Sequence, residues 1–318
     1  MNDIIYHIHI ILIFSTTTNI GLFNYKRALM AELTQDTPSN NQQGILYVVA
    51  TPIGNLDDIS KRVVHTLASV SKIAAEDTRK TKVLLSHLNL DTPCFSFHEH
   101  NERQKLDWLV QQLQMGDSIA LVSDAGTPLI SDPGYPLVRE LRNRNMKVIA
   151  IPGPCALITA LSVSGLATDR FTFEGFFPSK VGARKKKIKE LANKRATQVF
   201  YESSHRIKDC LADLMEVLGE ERQVVIAREL TKTFETLLSG TTKELVTILE
   251  SDPNQTRGEF VVIIEGNKQK QSELPTEAKR LAIALAKELP GKKAAKIVSE
   301  TFDCKKNQLY DFILKSEQ

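Results

Sequence analysis

The sequence predicts two α/β domains in series, followed by a small helical piece. Three observations carry this prediction. Between Gly44 and Ile151, short β-rich apolar runs alternate five times with amphipathic stretches. The chain breaks at Pro152-Gly153-Pro154 and then resumes with a second set of strong strand runs. After Gly266 a polar linker leads into three short helical runs. The expected boundaries are residues 44–151 and 152–266 for the two domains and 272–318 for the helical piece.

In the first domain, residues 45–50 (I-L-Y-V-V-A) form a short continuous apolar run that ends in a Pro/Gly loop, which predicts a buried strand. Helix is expected over 59–67, strand over 72–75, helix over 78–87 and strand over 94–97. Residues 101–114 place Leu106, Trp108, Leu109 and Leu113 along one side of a helix. Strand over 118–122 follows, then helix over 136–143 with Pro136 in its first turn, where a missing N–H costs nothing. Residues 147–151 form the fifth strand. Such alternation predicts a parallel sheet with helices on its faces. In the second domain, strands are expected over 197–201, 223–227 and 259–264, with helices over 206–218 and 243–251. The tail is expected to fold as helices over 276–288, 292–302 and 305–314, with Pro290-Gly291 as a sharp break of the helix-turn-helix kind.

The net charge of +3 excludes nothing by itself; its distribution says more. Lys180, Arg184, Lys185, Lys186, Lys187, Lys189, Lys194 and Arg195 crowd one stretch, and the last fifty residues are Lys-rich. Both suit a polyanion such as RNA, although a solvated helix face explains any single run equally well. The four cysteines lie far apart with no C-x-x-C pair, which favours a reducing, cytoplasmic setting over a zinc site or disulfide framework. The apolar run over 4–14 is shorter than the ~20 residues of a spanning helix and lacks a basic flank. Residues 1–43 are expected to be a disordered extension or one that precedes the natural start, for which Met30 is the candidate.

Two nucleotide signatures are absent: there is no G-x-x-x-x-G-K-[ST], and Thr51-Pro52-Ile53-Gly54-Asn55 holds a single Gly where a dinucleotide fold needs three. Glu76 and Asp77 close the second strand near where a ribose-binding acid would sit. The dense feature is Ser123-Asp124-Ala125-Gly126-Thr127-Pro128 running on to Ser131-Asp132-Pro133-Gly134, directly after the fourth strand. Pro and Gly fix unusual backbone angles there, and Ser and Asp hold turns. The carboxyl edge of a parallel sheet is where ligands bind, and Gly permits close approach. Pro154-Cys155-Ala156 opens a helix of small residues that leaves backbone N–H groups accessible. A structural double turn and interdomain packing are the plain alternatives. Polar clusters Glu202-Ser203-Ser204-His205-Arg206 and Arg228-Glu229-Leu230-Thr231-Lys232 end two successive strands of the second domain. His98 and His100 would point to opposite sides of an extended chain, so no metal is expected.

Taken in order, Thr51 to Leu56, Glu76 to Arg79, Ser123 to Gly134, Phe200 to Arg206 and Ala227 to Glu235 resemble the signature set of the small-subunit (16S) ribosomal RNA cytidine 2'-O-methyltransferases. That family belongs to the tetrapyrrole-methylase fold class. The resemblance covers about Gly44 to Gly266, and the C-terminal runs are similar to the family's appended helix-turn-helix. It implies S-adenosyl-L-methionine held in a cleft between two α/β domains, a cytidine ribose of the decoding region of the small ribosomal subunit as substrate, and usually a homodimer. Cofactor contacts are then expected from Gly54, Asp124, Ala125, Gly126, Thr127, Pro154, Cys155 and Ala156. Glu202, His205, Glu229 and Lys232 are candidates for the base, unranked. Arg79, Arg206, Lys180, Arg184, Lys185, Lys186, Lys187, Lys292 and Lys293 are expected on RNA. Relatives acting on tetrapyrroles carry a glycine-rich first loop and a Gly-Asp-Pro second loop; this sequence has neither, which disfavours a porphyrinoid substrate. A tetrapyrrole methyltransferase and a non-catalytic RNA-binding protein are the rival readings.

Overall fold

The computed structural model describes residues 43–268, 274–302 and 304–316. The proposed extension, with Met30, lies outside the described residues. The chain divides into two compact units, with the boundary between Ala156 and Leu157.

The first unit holds a five-stranded sheet of β1 (Leu46–Val49), β2 (Lys72–Ala75), β3 (Cys94–Ser96), β4 (Ile119–Val122) and β5 (Val148–Ile151) in the order β3-β2-β4-β1-β5. Every pairing is parallel, as the alternation predicted. Period-2 alternation then fills both faces. Leu46, Ile119 and Leu121 pack with Leu109 and Leu113 of α3 (Glu102–Gln114) and Leu137 and Leu141 of α4 (Tyr135–Asn143). Val49, Ala120 and Val122 face the other way, against Val63 and Leu67 of α1 (Lys61–Ser69) and Leu85 of α2 (Thr78–His87). Two helix starts follow from their caps. Ser60 Oγ accepts from Val63 N–H at 3.2 Å, and Asp77 Oδ1 accepts from Arg79 N–H at 2.8 Å.

The second unit holds β6 (Phe171–Phe176), β7 (Thr197–Ser203), β8 (Gln223–Arg228), β9 (Thr236–Thr241) and β10 (Glu259–Ile264) in the order β6-β7-β10-β8-β9. Only β6 and β7 run parallel; β10 is antiparallel to both β7 and β8, and β9 is antiparallel to β8. The sequence reading contained neither β6 nor β9, which are the two edge strands. It did contain the helix after Pro154, α5 (Ala156–Val163). Helices α6 (Val181–Leu191), α7 (Ile207–Leu218) and α8 (Thr242–Ser251) cover one core of Phe200, Val224, Ile226, Phe260 and Val262. Thr241 and Glu244 form a reciprocal capping box at the start of α8. Three further helices, α9 (Thr276–Ala286), α10 (Gly291–Phe302) and α11 (Lys306–Ser316), pack on Ala278, Ala282, Ala294, Ala295, Val298, Leu309 and Ile313. No helix among the described residues is long and apolar enough to cross a membrane.

Candidate active site

In the first unit, β4, β1 and β5 are neighbours, so the loops after them emerge side by side at the carboxyl edge. Backbone bonds stitch these loops together. Thr51 N–H donates to Gly126 O at 2.9 Å and Gly126 N–H donates to Thr51 O at 3.0 Å. Thr127 Oγ1 donates to Pro154 O at 3.0 Å. Gly126 has φ +80°, and a Cβ there would lie 3.3 Å from Ile53 Cγ2, so a side chain is opposed by both backbone and space. Gly54 and Ala125 are exposed, and Asp124, Thr127, Pro154, Cys155 and Ala156 are half-buried around them.

Asp124 ties this cradle to the end of β2. Its Oδ1 accepts from Asp77 N–H at 2.9 Å, its Oδ2 meets Lys80 Nζ at 2.7 Å, and its own N–H donates to Glu76 Oε2 at 3.1 Å. Both of its carboxylate oxygens are therefore engaged, and the residue shapes the loop. The bond to Asp124 raises the Lys80 pKa. Asp132, in the same loop, is pushed up to about 6 by burial, opposed by a bond from Ser123 and reinforced by the charges of Glu76 and Asp124. Leu129 and Ser131 hold φ of +73° and +68°, backbone positions that side chains rarely occupy. Arg79 chelates Asp77 through its guanidinium while remaining exposed, and that bond holds the Asp77 carboxyl well below the usual range.

In the second unit the sheet register brings the two polar clusters together. Glu259 at the start of β10 lies opposite Ser203 of β7, and its carbonyl accepts from Glu229 N–H at 3.0 Å. The four candidate bases thus share one strand-end edge, but they are not equivalent. Glu202 corrects the expectation: it is buried, with Oε1 accepting from Ser203 N–H at 2.8 Å and from Arg206 at 2.6 Å. Glu202 thus holds the turn at 203–206 through Oε1, while its Oε2 is buried without a partner and offers no exposed surface to a substrate hydroxyl. Arg206 is correspondingly committed to Glu202 and to Phe177 O at 3.1 Å, and is a brace more than a phosphate grip. Glu229 Oε1 accepts from Lys232 Nζ at 2.8 Å and from Glu259 N–H at 3.0 Å. Burial raises the Glu229 pKa, but those bonds outweigh it and leave the group below its ordinary value. Lys232 also reaches Glu259 Oε2 at 3.0 Å; burial lowers its pKa, yet the two carboxylates raise it on balance. Lys232 is held as an ammonium and corrects the expectation of a base there. His205 stands exposed in the turn.

The basic stretch folds as α6, where Arg184, Ile188 and Leu191 face inward. Arg184 is buried and pairs with Asp213 of α7 at 2.6 Å, which corrects its assignment to RNA. Lys185 pairs with Glu216 at 2.6 Å and Lys187 with Glu174 at 2.7 Å, so both are largely neutralised within the unit. Lys180 and Lys186 stay exposed, as do Lys292 and Lys293 of α10. The 98–100 segment is a turn and not extended; its two imidazole rings lie 5.8 Å apart. No group of three or more His, Cys, Asp or Glu able to hold a metal occurs among the described residues.

The family model for tetrapyrrole (corrin/porphyrin) methylases matches residues 45–246, which include the first unit's loops and the clusters around Glu202 and Glu229. The chain belongs to the tetrapyrrole methylase family. The RsmI C-terminal HTH domain model matches residues 272–317 of this methylase. It is 53% identical over 271 residues to Ribosomal RNA small subunit methyltransferase I of Haemophilus influenzae, covering 85% of this chain and 96% of that one. The protein of the same name from Escherichia coli O157:H7 is 49% identical, covering 90% of this chain and 100% of that one. Among solved structures, it is similar to the methyltransferase CobJ (17% identity, TM-score 0.52, covering 72% of this chain and 97% of that chain). It is also similar to cobalt precorrin-4 methyltransferase (15%, TM-score 0.51, covering 70% and 94%). At such identities these likenesses speak for the fold alone.

Sequence reasoning had not singled out several residues of this methylase's strand-end edges. Thr51 is buried with an unpartnered Oγ1, Lys80 balances Asp124, and Gly258 and Glu259 frame Glu229. Thr51 and Lys80 lie inside or beside the quoted motifs. Gly258 and Glu259 lie far from Glu229 in sequence, and only the antiparallel pairing of β10 with β8 joins them.

Proposed function

We propose that this methylase transfers a methyl group from S-adenosyl-L-methionine to the 2'-hydroxyl of a cytidine in 16S ribosomal RNA of the small subunit, in the decoding region. The observation that carries the reading is the conjunction of a small-subunit ribosomal RNA methyltransferase identity at about half of all positions with a backbone-built cradle at the carboxyl edge of the first sheet.

The first unit's residues fit the cofactor. The cradle offers an orphaned buried hydroxyl, Thr51 Oγ1, and at Gly126 a backbone of φ +80° with no room for a side chain, a Cβ there lying 3.3 Å from Ile53 Cγ2. Gly54, Ala125, Gly126 and Thr127, with the turn from Pro154 to Ala156, are the residues that would hold it. The bound sulfonium supplies an already activated methyl group, so no metal or covalent enzyme intermediate is called for.

The chain's own residues have two tasks. Alignment of the ribose hydroxyl with the methyl carbon provides most of the acceleration, because a rigid bound geometry replaces an encounter. A base then accepts the hydroxyl proton. With Glu202 buried and Lys232 paired with two carboxylates, His205 is the candidate whose side chain is exposed to meet substrate. Glu229 shapes the neighbouring loop. Lys180, Lys186, Lys292 and Lys293 present exposed cations for phosphate, whereas Arg79, though exposed, is already paired with Asp77.

Incubation with labelled S-adenosyl-L-methionine and, in parallel, small ribosomal subunits, free 16S RNA or a uroporphyrinogen tests this. Label entering RNA is the expected result; label entering only the tetrapyrrole refutes it.

A further inference from the structure

The connection between β8 and β9 is built with unusual rigidity for a surface loop. Glu229 and Thr231 hold φ of +49° and +67°, the left-handed region that residues other than Gly and Asn rarely enter. Such backbone persists only where its surroundings over-determine it, and it concentrates at functional sites. Here the surroundings are explicit. Glu229 and Glu259 exchange bonds, N–H to O at 3.0 Å and N–H to Oε1 at 3.0 Å. Lys232 closes the turn through its N–H on Glu229 O at 3.0 Å and its ammonium on two carboxylates. Thr231 N–H donates to Glu235 Oε2 at 2.5 Å. The Glu229 side chain lies where a side chain on residue 258 would be: a Cβ at Gly258 would come within 2.5 Å of Glu229 Cγ, and Gly258 has φ +96°.

This clamp presents Phe234, a residue 71% exposed, more than Tyr135 at 62%. A bond from Thr236 Oγ1 to Phe234 O at 3.1 Å fixes the main chain at that residue. The ring therefore projects from a turn whose main chain is tied on both sides of it. The groups around it do not favour phosphate: Lys232 is already neutralised by Glu229 and Glu259, and Glu235 is exposed. An exposed aromatic face suits the planar face of an unstacked nucleobase, which can stack on it whatever its identity.

We propose that Phe234 is a stacking platform for an unstacked base of the RNA substrate, and that Gly258 and Glu229 are positioning residues that hold it ready. The inference rests on the RNA-methylating reading above.

The test uses the full chain with small ribosomal subunits, comparing Phe234→Ala, Phe234→Leu and Phe234→Trp for KM, kcat, cofactor affinity and association state. Stacking predicts a KM for subunits raised roughly 5- to 100-fold in the Ala and Leu variants. The Trp variant is expected near wild type, with cofactor affinity unchanged throughout. Wild-type KM in Phe234→Leu overturns the proposal, because plain apolar contact would then suffice. A changed association state that accounts for the loss also overturns it, assigning the ring to a second copy of the chain. Wild-type protein that leaves all RNA unlabelled overturns the functional reading itself, whereas normal wild-type labelling with an unaffected Phe234→Ala sinks only the stacking role.

Discussion

Arg184 offers the sharpest separation of structure from RNA binding. It lies in the most basic stretch of the chain, yet its side chain is 2% exposed and its Nε meets Asp213 Oδ2 at 2.6 Å. Replacing it with Ala leaves Asp213, itself 9% exposed, without its main partner. Breaking a buried pair from one side costs about 3–5 kcal/mol, because an uncompensated charge remains inside. Lys185 Nζ sits 3.5 Å from the other carboxylate oxygen and retains part of the compensation, which places the expected loss near the lower end, about 3 kcal/mol. Removing both charges with Arg184→Met and Asp213→Leu is expected to return stability to within about 1 kcal/mol of wild type, since apolar replacement of a buried pair is often neutral. Urea unfolding measures both. Binding to 16S RNA across a salt series supplies the second readout: the double variant should keep wild-type affinity and slope, whereas Lys186→Ala should flatten the slope by about one unit. A double variant as stable as wild type that binds RNA poorly would refute the assignment of Arg184 to the interior.

Three further outcomes follow from the same geometry. Asp132 has a folded pKa near 6 against an ordinary 3.8, so it binds more protons folded than unfolded and wild-type stability should fall as pH rises from about 4 to 6. Asp132→Asn should flatten that slope and gain about 1–2 kcal/mol above pH 6, after discounting for partial exposure, as read by denaturation at several pH values. Asp124→Ala frees Lys80 and the Asp77 N–H, and Gly126→Val forces a branched side chain to φ +80° against Ile53. Calorimetry should show cofactor affinity reduced about tenfold or more in each, and normal affinity in both would remove these loops from the cofactor site. Truncation after Gly266 removes a helical piece with its own apolar core. It should leave cofactor binding intact while weakening and flattening the salt dependence of RNA binding; unchanged RNA binding would count against the tail's role.

Much of the first unit was legible because its signals are local. Each strand is a short apolar run, three of its four helices begin at a side-chain cap or a Pro, and the parallel arrangement follows from their alternation. The edge strands of the second unit were not. β6 interrupts its apolar residues with Thr172, Glu174 and Gly175 and shifts register between Phe173 and Phe176, and β9 has only Leu237 and Leu238. Charge was legible as composition and not as availability. The carboxylates that absorb Arg184, Lys185 and Lys187 come from Asp213, Glu216 and Glu174, on other elements. For the same reason Glu202 and His205 looked alike as polar residues at a strand end. Burial, which only packing decides, separates them.

The central claim is the transfer of a methyl group to a ribose oxygen of the small-subunit RNA. It is tested most directly by digesting labelled RNA to nucleosides after reaction with the purified protein. The account predicts that label co-elutes with 2'-O-methylcytidine from a single position whose phosphodiester bond resists alkali. Label on a base-methylated nucleoside, or RNA that alkali cleaves at every position, would contradict it.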